Sequence, residues 1–399
     1  MKEGWLTQSL GEVCALATGG TPNTKIAEYW QGGEIPWLVS GDVHKKQVWD
    51  CAKRITQLGM RNSNARILPA DSVLIALNGQ GKTRGTVAML RIPATCNQSV
   101  VCMTPIERNR LLAEYLFYYL ESQYQCIRDT TGDKDRRGLN MPLLRAIEVP
   151  IAPVAEQRRI VAILDEVFGN IATARTNAEK NLGNARAIFE SHLDSMFTQR
   201  TEGSVEKTLG ELCPLFVDSA HRTPRYQAAG IPALRPRDVA NGELNLGGVA
   251  LVSEEEYDIQ SKRHRPAPGD IVYSRELSCG WAVLLPELPR ACLSQGMCLF
   301  RPAPERLDSR FLQYVLNSPF GRRQAMRAAV GAAHPHINLG DIKAYRIPLP
   351  SLPEQEDIVK RLDAAGIETR RLESIYRRKL DALDALKQSL LHHAFSGQL

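Results

Sequence analysis

Apolar positions along the first 150 or so residues come in short runs, EIPWLVS, DSVLIAL, GTVAML and SVVCMTPI, separated by Gly, Pro and Asn. Runs of that length between turn residues predict strands and turns. The one clear helix among them is LLAEYLFYYLES. From Glu156 the period changes. Ile160, Leu164, Val167, Ile171, Ala174 and Ala178 recur at alternating steps of four and three, and Leu182, Ala185, Phe189 and His192 continue the stripe. Such a stripe predicts a coiled-coil-like helix of roughly 40 residues, about 60 Å long. Pro153 precedes it and Glu156 suits its first turn.

The whole pattern then repeats. EVPIAPVAEQRRIVAILD around Pro150 returns as RIPLPSLPEQEDIVKRLD around Pro348, with Asn140, Gln157, Leu164 and Asp165 matching Asn338, Gln355, Leu362 and Asp363 about 198 residues on. LGEVC at Leu10 returns as LGELC at Leu209, Thr21-Pro22 as Thr223-Pro224, Asp42-Val43 as Asp238-Val239, and Gln98 as Gln295. A period of about 200 residues is too long for a solenoid, so it marks a duplicated domain with its own helical arm. The predicted fold class is α+β. Two similar mixed α/β domains, 1–152 and 201–350, alternate with two long helices, 153–200 and 351–399. The second helix carries Ile358, Leu362, Leu372, Tyr376, Leu380, Leu383, Leu386 and Leu390. Neither helix can bury its stripe alone, so an antiparallel pair with the modules at its two ends is expected. Gly169 and Gly366 fall at nearly equivalent points in the two helices and mark either a bend, a close contact or a tolerated glycine.

Composition narrows the class without fixing the function. With 399 residues, 43% hydrophobic and 24% charged, the chain has room for two or three well-cored domains. A net charge of +6 suits a nucleic-acid binder and equally many enzymes. Nine cysteines without a CxxC pair read as reduced core thiols. No window reaches the length of a membrane span or signal segment, which leads to the expectation of a cytoplasmic protein with no membrane contact.

Candidate chemistry clusters in loops. ALNGQGKT, Ala76 to Thr83, satisfies a loose phosphate-loop pattern. The next stretch, RGTVAML, is strand-like instead of helical. A flexible basic loop with Lys82, Thr83 and Arg84 near phosphate oxygens is therefore expected. GDKDRRGLN places Lys134, Arg136 and Arg137 before Asn140, and AAHPHIN places His334 and His336 before Asn338. Two histidines without nearby Cys or carboxylate partners do not complete a zinc site. The second module concentrates arginine at Arg222, Arg225, Arg235, Arg237 and Arg275, where the first has Asn23, Val39 and Gly41 as equivalents, with Ser40 between and Thr21 two residues before Asn23. Arginine's fork suits guanine edges or phosphate, although any one of these could be an ordinary surface charge. No GxSxG, HExxH or paired CxxC motif is present.

The module–helix–module–helix duplication, the PxPxxxEQ junction and the closing SLLHHAFSGQL resemble the specificity subunit of type I restriction–modification systems over essentially the whole chain. The resemblance implies a non-catalytic subunit whose two target-recognition domains each read one half of a split sequence in double-stranded DNA. It implies helices that set the gap, roughly one helical turn or 34–36 Å on B-DNA. It also implies two methylation subunits carrying S-adenosylmethionine, and motor–nuclease subunits that use ATP and Mg, with no cofactor or metal in this chain itself. Two readings of other classes stay open: a protein-interaction scaffold on a coiled coil, and a nucleotide-binding enzyme built on Ala76 to Thr83.

Overall fold

A computed structural model describes residues 4–79, 81–130, 138–198, 205–287 and 290–399. The chain divides into two units. One comprises Met1–Ala178 with Arg378–Leu399, the other Glu179–Arg377. Each unit therefore holds one mixed α/β module and a segment of each long helix.

In the first unit the centre is a five-stranded sheet, in the order Cys14–Thr18, Val100–Pro105, Ser72–Ala76, Val87–Leu90 and Gln47–Val48. Its first four strands are antiparallel and the short edge strand Gln47–Val48 is parallel to its neighbour. Val73, Ile75 and Met89 face one core and Leu74, Ala76 and Ala88 another. Both faces are thus buried, which is why these strands read as continuous apolar runs and not as alternation. A second sheet, Arg54–Ile55, Ile35–Leu38 and Thr95–Cys96, lies beside it. The second unit repeats this plan with the strands Leu215–Asp218, Met297–Arg301, Ile271–Ser274 and Ala282–Leu284 in its central sheet. Among the described residues no helix is long and apolar enough to cross a membrane.

The expected module helices form at Ala113–Ser122 and Ser309–Asn317. The short helices Tyr124–Asp129 and Met141–Arg145 escape the sequence pattern because they are too short to show a period. The long helices run Val154–Thr198 and Leu352–Ser396. Within each unit their segments run antiparallel. In the first unit, Arg159 meets the Leu399 carbonyl and Arg175 pairs with Asp384. In the second, Arg186 bonds Glu373 at 2.6 Å, and Phe189 lies against Gly366.

Two details of the predicted stripes are corrected. Toward the end of the first helix the buried positions are Leu193 and Phe197, while His192 is only half-buried. In the second helix Leu372 and Leu386 are exposed. The stripes drift because the C-terminal end of each helix packs onto a module as well as onto its partner. Phe197 lies 5.6 Å edge-on to Phe311, and Phe395 lies 5.2 Å from Tyr115 and 5.3 Å from Tyr119. A Cβ on Gly169 would meet open space, whereas one on Gly366 would make ordinary contact with the Phe189 ring at 3.7 Å. Neither glycine is required by a close approach.

The duplicated junction motif has a physical explanation. Gln157 is fully buried; its amide donates to the Arg110 and Ala152 carbonyls at 2.8 and 2.7 Å and its oxygen accepts from Leu112 N–H at 2.9 Å. Gln355 repeats this with Arg306, Pro350 and Asp308 at 3.0, 2.9 and 2.8 Å. One side chain thus ties the start of each long helix to the loop before each module helix. Further along the two helices, Asp165 and Asp363 accept from the Tyr118 and Tyr314 hydroxyls.

Candidate nucleic-acid interface

At one end of the first module's central sheet, five segments distant in sequence converge. The strand Ser72–Ala76 ends at Leu77, whose N–H donates to the Ser99 carbonyl at 2.8 Å and whose carbonyl accepts from Leu139 at 3.1 Å. Thr21 donates to Gln98 Oε1 at 2.7 Å, and the Trp37 indole donates to the Gly20 carbonyl at 2.9 Å. A Cβ on Gly19 would stand 1.8 Å from the Cys96 carbonyl oxygen, so only glycine lets the 19–23 segment lie against the 96–98 turn. His44 reaches Thr83 at 3.0 Å.

The 77–86 stretch links two antiparallel strands and enters no helix, so it lacks the helix N-terminus that a phosphate loop requires. It is also braced, contrary to the expected flexible loop. Tyr124 donates to the Lys82 carbonyl at 2.9 Å and Arg128 to the Gly81 carbonyl at 2.7 Å. Lys82 is exposed, with its ammonium making no contact among the described residues, while Thr83 and Arg84 are half-buried.

The second module brings the equivalent segments together. Arg275 takes the place of Leu77: its N–H donates to Gly296 O at 2.9 Å and its carbonyl accepts from Ile337 at 2.8 Å. Thr223 donates to Gln295 Oε1 at 3.1 Å, repeating the Thr21–Gln98 bond. Val330 and His336 exchange backbone hydrogen bonds at 2.9 Å, and Leu277 N–H donates to Pro335 O at 2.9 Å. The duplicated Thr-Pro and Gln positions therefore build the same corner twice.

Within that corner the candidates have different standing. Arg222 is held by Glu256 through two contacts at 3.0 and 2.9 Å, although 34 residues separate them. Arg235 grips Asp238 in a fork at 2.8 and 2.9 Å and also donates to the Gly248 carbonyl. The bond to Asp238 raises the Arg235 pKa above its ordinary value. The Arg235 fork is already filled by Asp238, whereas Arg222 holds Glu256 through Nη2 alone and keeps its other nitrogens on a half-exposed side chain. Arg237 is 70% exposed and only 3.8 Å-paired to Asp238, and Arg225 is exposed with no partner among the described residues. Asn23 accepts from Lys25 N–H, and Ser40 opens a 3-10 turn whose Asp42 caps Val39 N–H at 3.0 Å, as Asp238 caps Arg235. Asn140 caps the helix Met141–Arg145 by accepting from Leu143 at 3.0 Å, and Asn338 donates to Asp341. The shared Asn is thus a helix-start residue, which accounts for its repetition. His334 and His336 are exposed on the 330–337 turn. Among the described residues no group of three or more His, Cys, Asp or Glu side chains is placed to hold a metal. Lys134, Arg136 and Arg137 lie outside the described residues.

Sequence reasoning passed over Asp218, His221 and Glu276, which surround Arg275. Their approach joins segments about 57 residues apart along the chain, for which no local spacing gives a signal.

Comparison with known proteins places this architecture. A family model described as the type I restriction modification DNA specificity domain matches residues 2–181 and again 201–377. The specificity subunit of the type I restriction enzyme EcoKI of Escherichia coli K12 is 21% identical over all of this chain and 90% of its own length. That of EcoBI, also from Escherichia coli, is 23% identical over 77% of this chain and 70% of its own. A chain from a type I restriction–modification system solved for its complex assembly and conformational transition has the same fold, with a TM-score of 0.81, 19% identity, and coverage of 100% and 99% of the two chains. The HsdS subunit of Thermoanaerobacter tengcongensis matches at 0.60, with 19% identity over 100% of this chain and 98% of that one.

Proposed function

Because the chain belongs to the type I restriction-modification DNA specificity family, with the family's domain present twice, we propose that each module's five-segment corner reads one half of a split DNA target. The repeated corner carries this reading. The Thr–Gln bond and the strand-end hydrogen bonds are kept in both copies, while the side chains at equivalent places differ, a buried Leu77 against Arg275 and an exposed Lys82 against the 275–281 loop. A preserved frame with altered contents is what two different half-sites require. Lys82, Arg225 and Arg237 supply cations for phosphates, and phosphate contacts position the protein without specifying sequence.

The subunit has no catalytic role in this proposal. Two methylation subunits bring S-adenosylmethionine, and motor–nuclease subunits bring ATP and Mg; none of these groups is held by this chain. The assembly works in the cytoplasm, where the host DNA is. A membrane is not involved.

The test is single-molecule methylome sequencing of a host carrying the complete system, compared with a deletion of this chain alone. N6-methyladenine at one split motif is expected in the first and lost in the second. An unchanged methylome with an active methyltransferase would overturn the proposal and favour the protein-interaction scaffold.

A further inference from the structure

Arg275 and Asp218 form a charged pair whose counterpart in the first module is neutral. The sheet registers fix the equivalence. Ser274 pairs with Met297 and Asp218 with Cys298, as Ala76 pairs with Val100 and Thr18 with Val101. Beyond those strand ends, Arg275 corresponds to Leu77 and Asp218 to Thr18. Leu77 is buried, and the Thr18 hydroxyl is satisfied by the Val100 carbonyl at 2.9 Å. The first module is closed at this point.

In the second module it is not closed. The Arg275 side chain is 11% exposed, and its Nε stands 3.4 Å from Asp218 Oδ1. Both atoms are buried, and neither has a hydrogen bond. The terminal nitrogen Nη2 comes no nearer to Glu276 than 3.9 Å. Asp218 meanwhile engages His221 at 2.9 Å through its other oxygen. Among the described residues the Arg275 guanidinium makes no hydrogen bond, in contrast to Arg222, Arg235, Arg301 and Arg310, each of which forms charged bonds to a carboxylate at 3.0 Å or less. A buried Nε and a buried carboxylate oxygen that face each other without a hydrogen bond cost stability, and the terminal nitrogens of the same guanidinium are left with donors to offer a ligand.

The surroundings point the same way. Leu277, two residues on, is 61% exposed and sits at φ +58, a strained backbone for a branched side chain. Thr223 and Gln295, Leu277 and His336 rim the same corner. Nothing in the packing requires an arginine here, because the first module builds the same backbone with leucine.

We infer that Arg275 is a base-reading residue of the second module, held in place by Asp218 and directed at a guanine. Guanine's O6 and N7 form the acceptor pair that matches a guanidinium fork. Asp218 limits the arginine's orientations while leaving its donors to the base. The half-site read by the second module therefore contains a guanine, and the first module has leucine at the equivalent position. This inference rests on the DNA-reading function proposed above.

The test compares the methylated motif, and binding by the assembled complex to duplexes varied at each position, for the wild type, Arg275→Leu and Arg275→Gln. In the wild type, changing the guanine should weaken binding by about 5- to 150-fold, the range for loss of one bidentate contact. Arg275→Leu should abolish that discrimination at one position of one half-site and leave the other half-site unchanged. Arg275→Gln should shift the preference at that position to adenine, whose N6 and N7 suit an amide. It also keeps a polar side chain beside Asp218 should the leucine variant fail to fold. Unchanged motifs in a variant that still methylates would overturn the assignment and leave Arg275 with a structural role. A wild-type complex with no split motif would instead overturn the DNA-reading function itself.

Discussion

Gln157 and Gln355 show how much one buried amide can hold. Each satisfies three backbone groups of a loop that would otherwise be unpaired, at the point where a module joins its helix. Gln157→Ala should cost roughly 2–4 kcal/mol, since orphaned buried partners cost about 1–3 kcal/mol each and some admit water. Thermal or chaotrope melting checks this, and Gln355→Ala should behave alike. Glu121 is a second residue with a measurable consequence. Burial pushes its carboxyl up, but the ammonium groups of Lys46 and Lys387 outweigh that and leave its pKa below the usual range. A depressed folded pKa gives stability that is present above roughly pH 4.3, the unfolded value, and is lost as pH falls through the folded one. Glu121→Gln should therefore lower stability at pH 7 and flatten its decline from about pH 5 to pH 3, read from melts across that range. Arg235 and Asp238 lie three apart, so their pairing is legible in the sequence. That of Arg222 with Glu256 is not, because residues 34 apart have no predictable separation until the chain folds.

At the scale of elements, the long helices do two jobs in succession. Along most of their length each buries its stripe against a segment of the other, and at its C-terminal end each packs onto a module. Leu391, Ala394 and Phe395 complete the first module's core, and Leu193 and Phe197 complete the second's. Phe197→Ala should cost about 3–5 kcal/mol, as for a buried aromatic, and Phe395→Ala about 2–3 kcal/mol because Phe395 is only partly buried. Limited proteolysis should show the first opening residues of the first unit and the second those of the second unit. Gly169 offers the opposite case. With open space around its missing Cβ, Gly169→Ala should stabilise the helix by up to about 1 kcal/mol. A lowered melting temperature would show that the position disfavours a side chain for a reason outside its packing.

For the molecule as a whole, the proposed DNA reading separates affinity from specificity. Exposed cations such as Lys82 sit in the rim, while the residues that differ between copies sit where the five segments meet. Lys82→Ala should weaken binding by the complex to all DNA sequences alike and reduce the slope of log K against log salt by about one. Binding isotherms at several salt concentrations test this, and a change confined to one base pair would contradict a phosphate role.

The sequence by itself determined the duplication, the placement of strands and long helices, and the family. Hydrophobic period and repeated turn residues are local properties, and they survive in the chain as written. It also singled out Thr21, Lys82 and Asn140 in one copy and Thr223, Arg275 and His336 in the other, whose segments the structure brings to one corner of each module. Only the tertiary structure decided which of those side chains are already engaged and which are held unsatisfied. Arg235 and Arg275 look alike in the sequence. One lies in a closed fork with Asp238 at 2.8 Å, and the other pairs with Asp218 at 3.4 Å without a hydrogen bond. That difference of a fraction of an ångström is set by how strands distant in sequence meet, which no local pattern records.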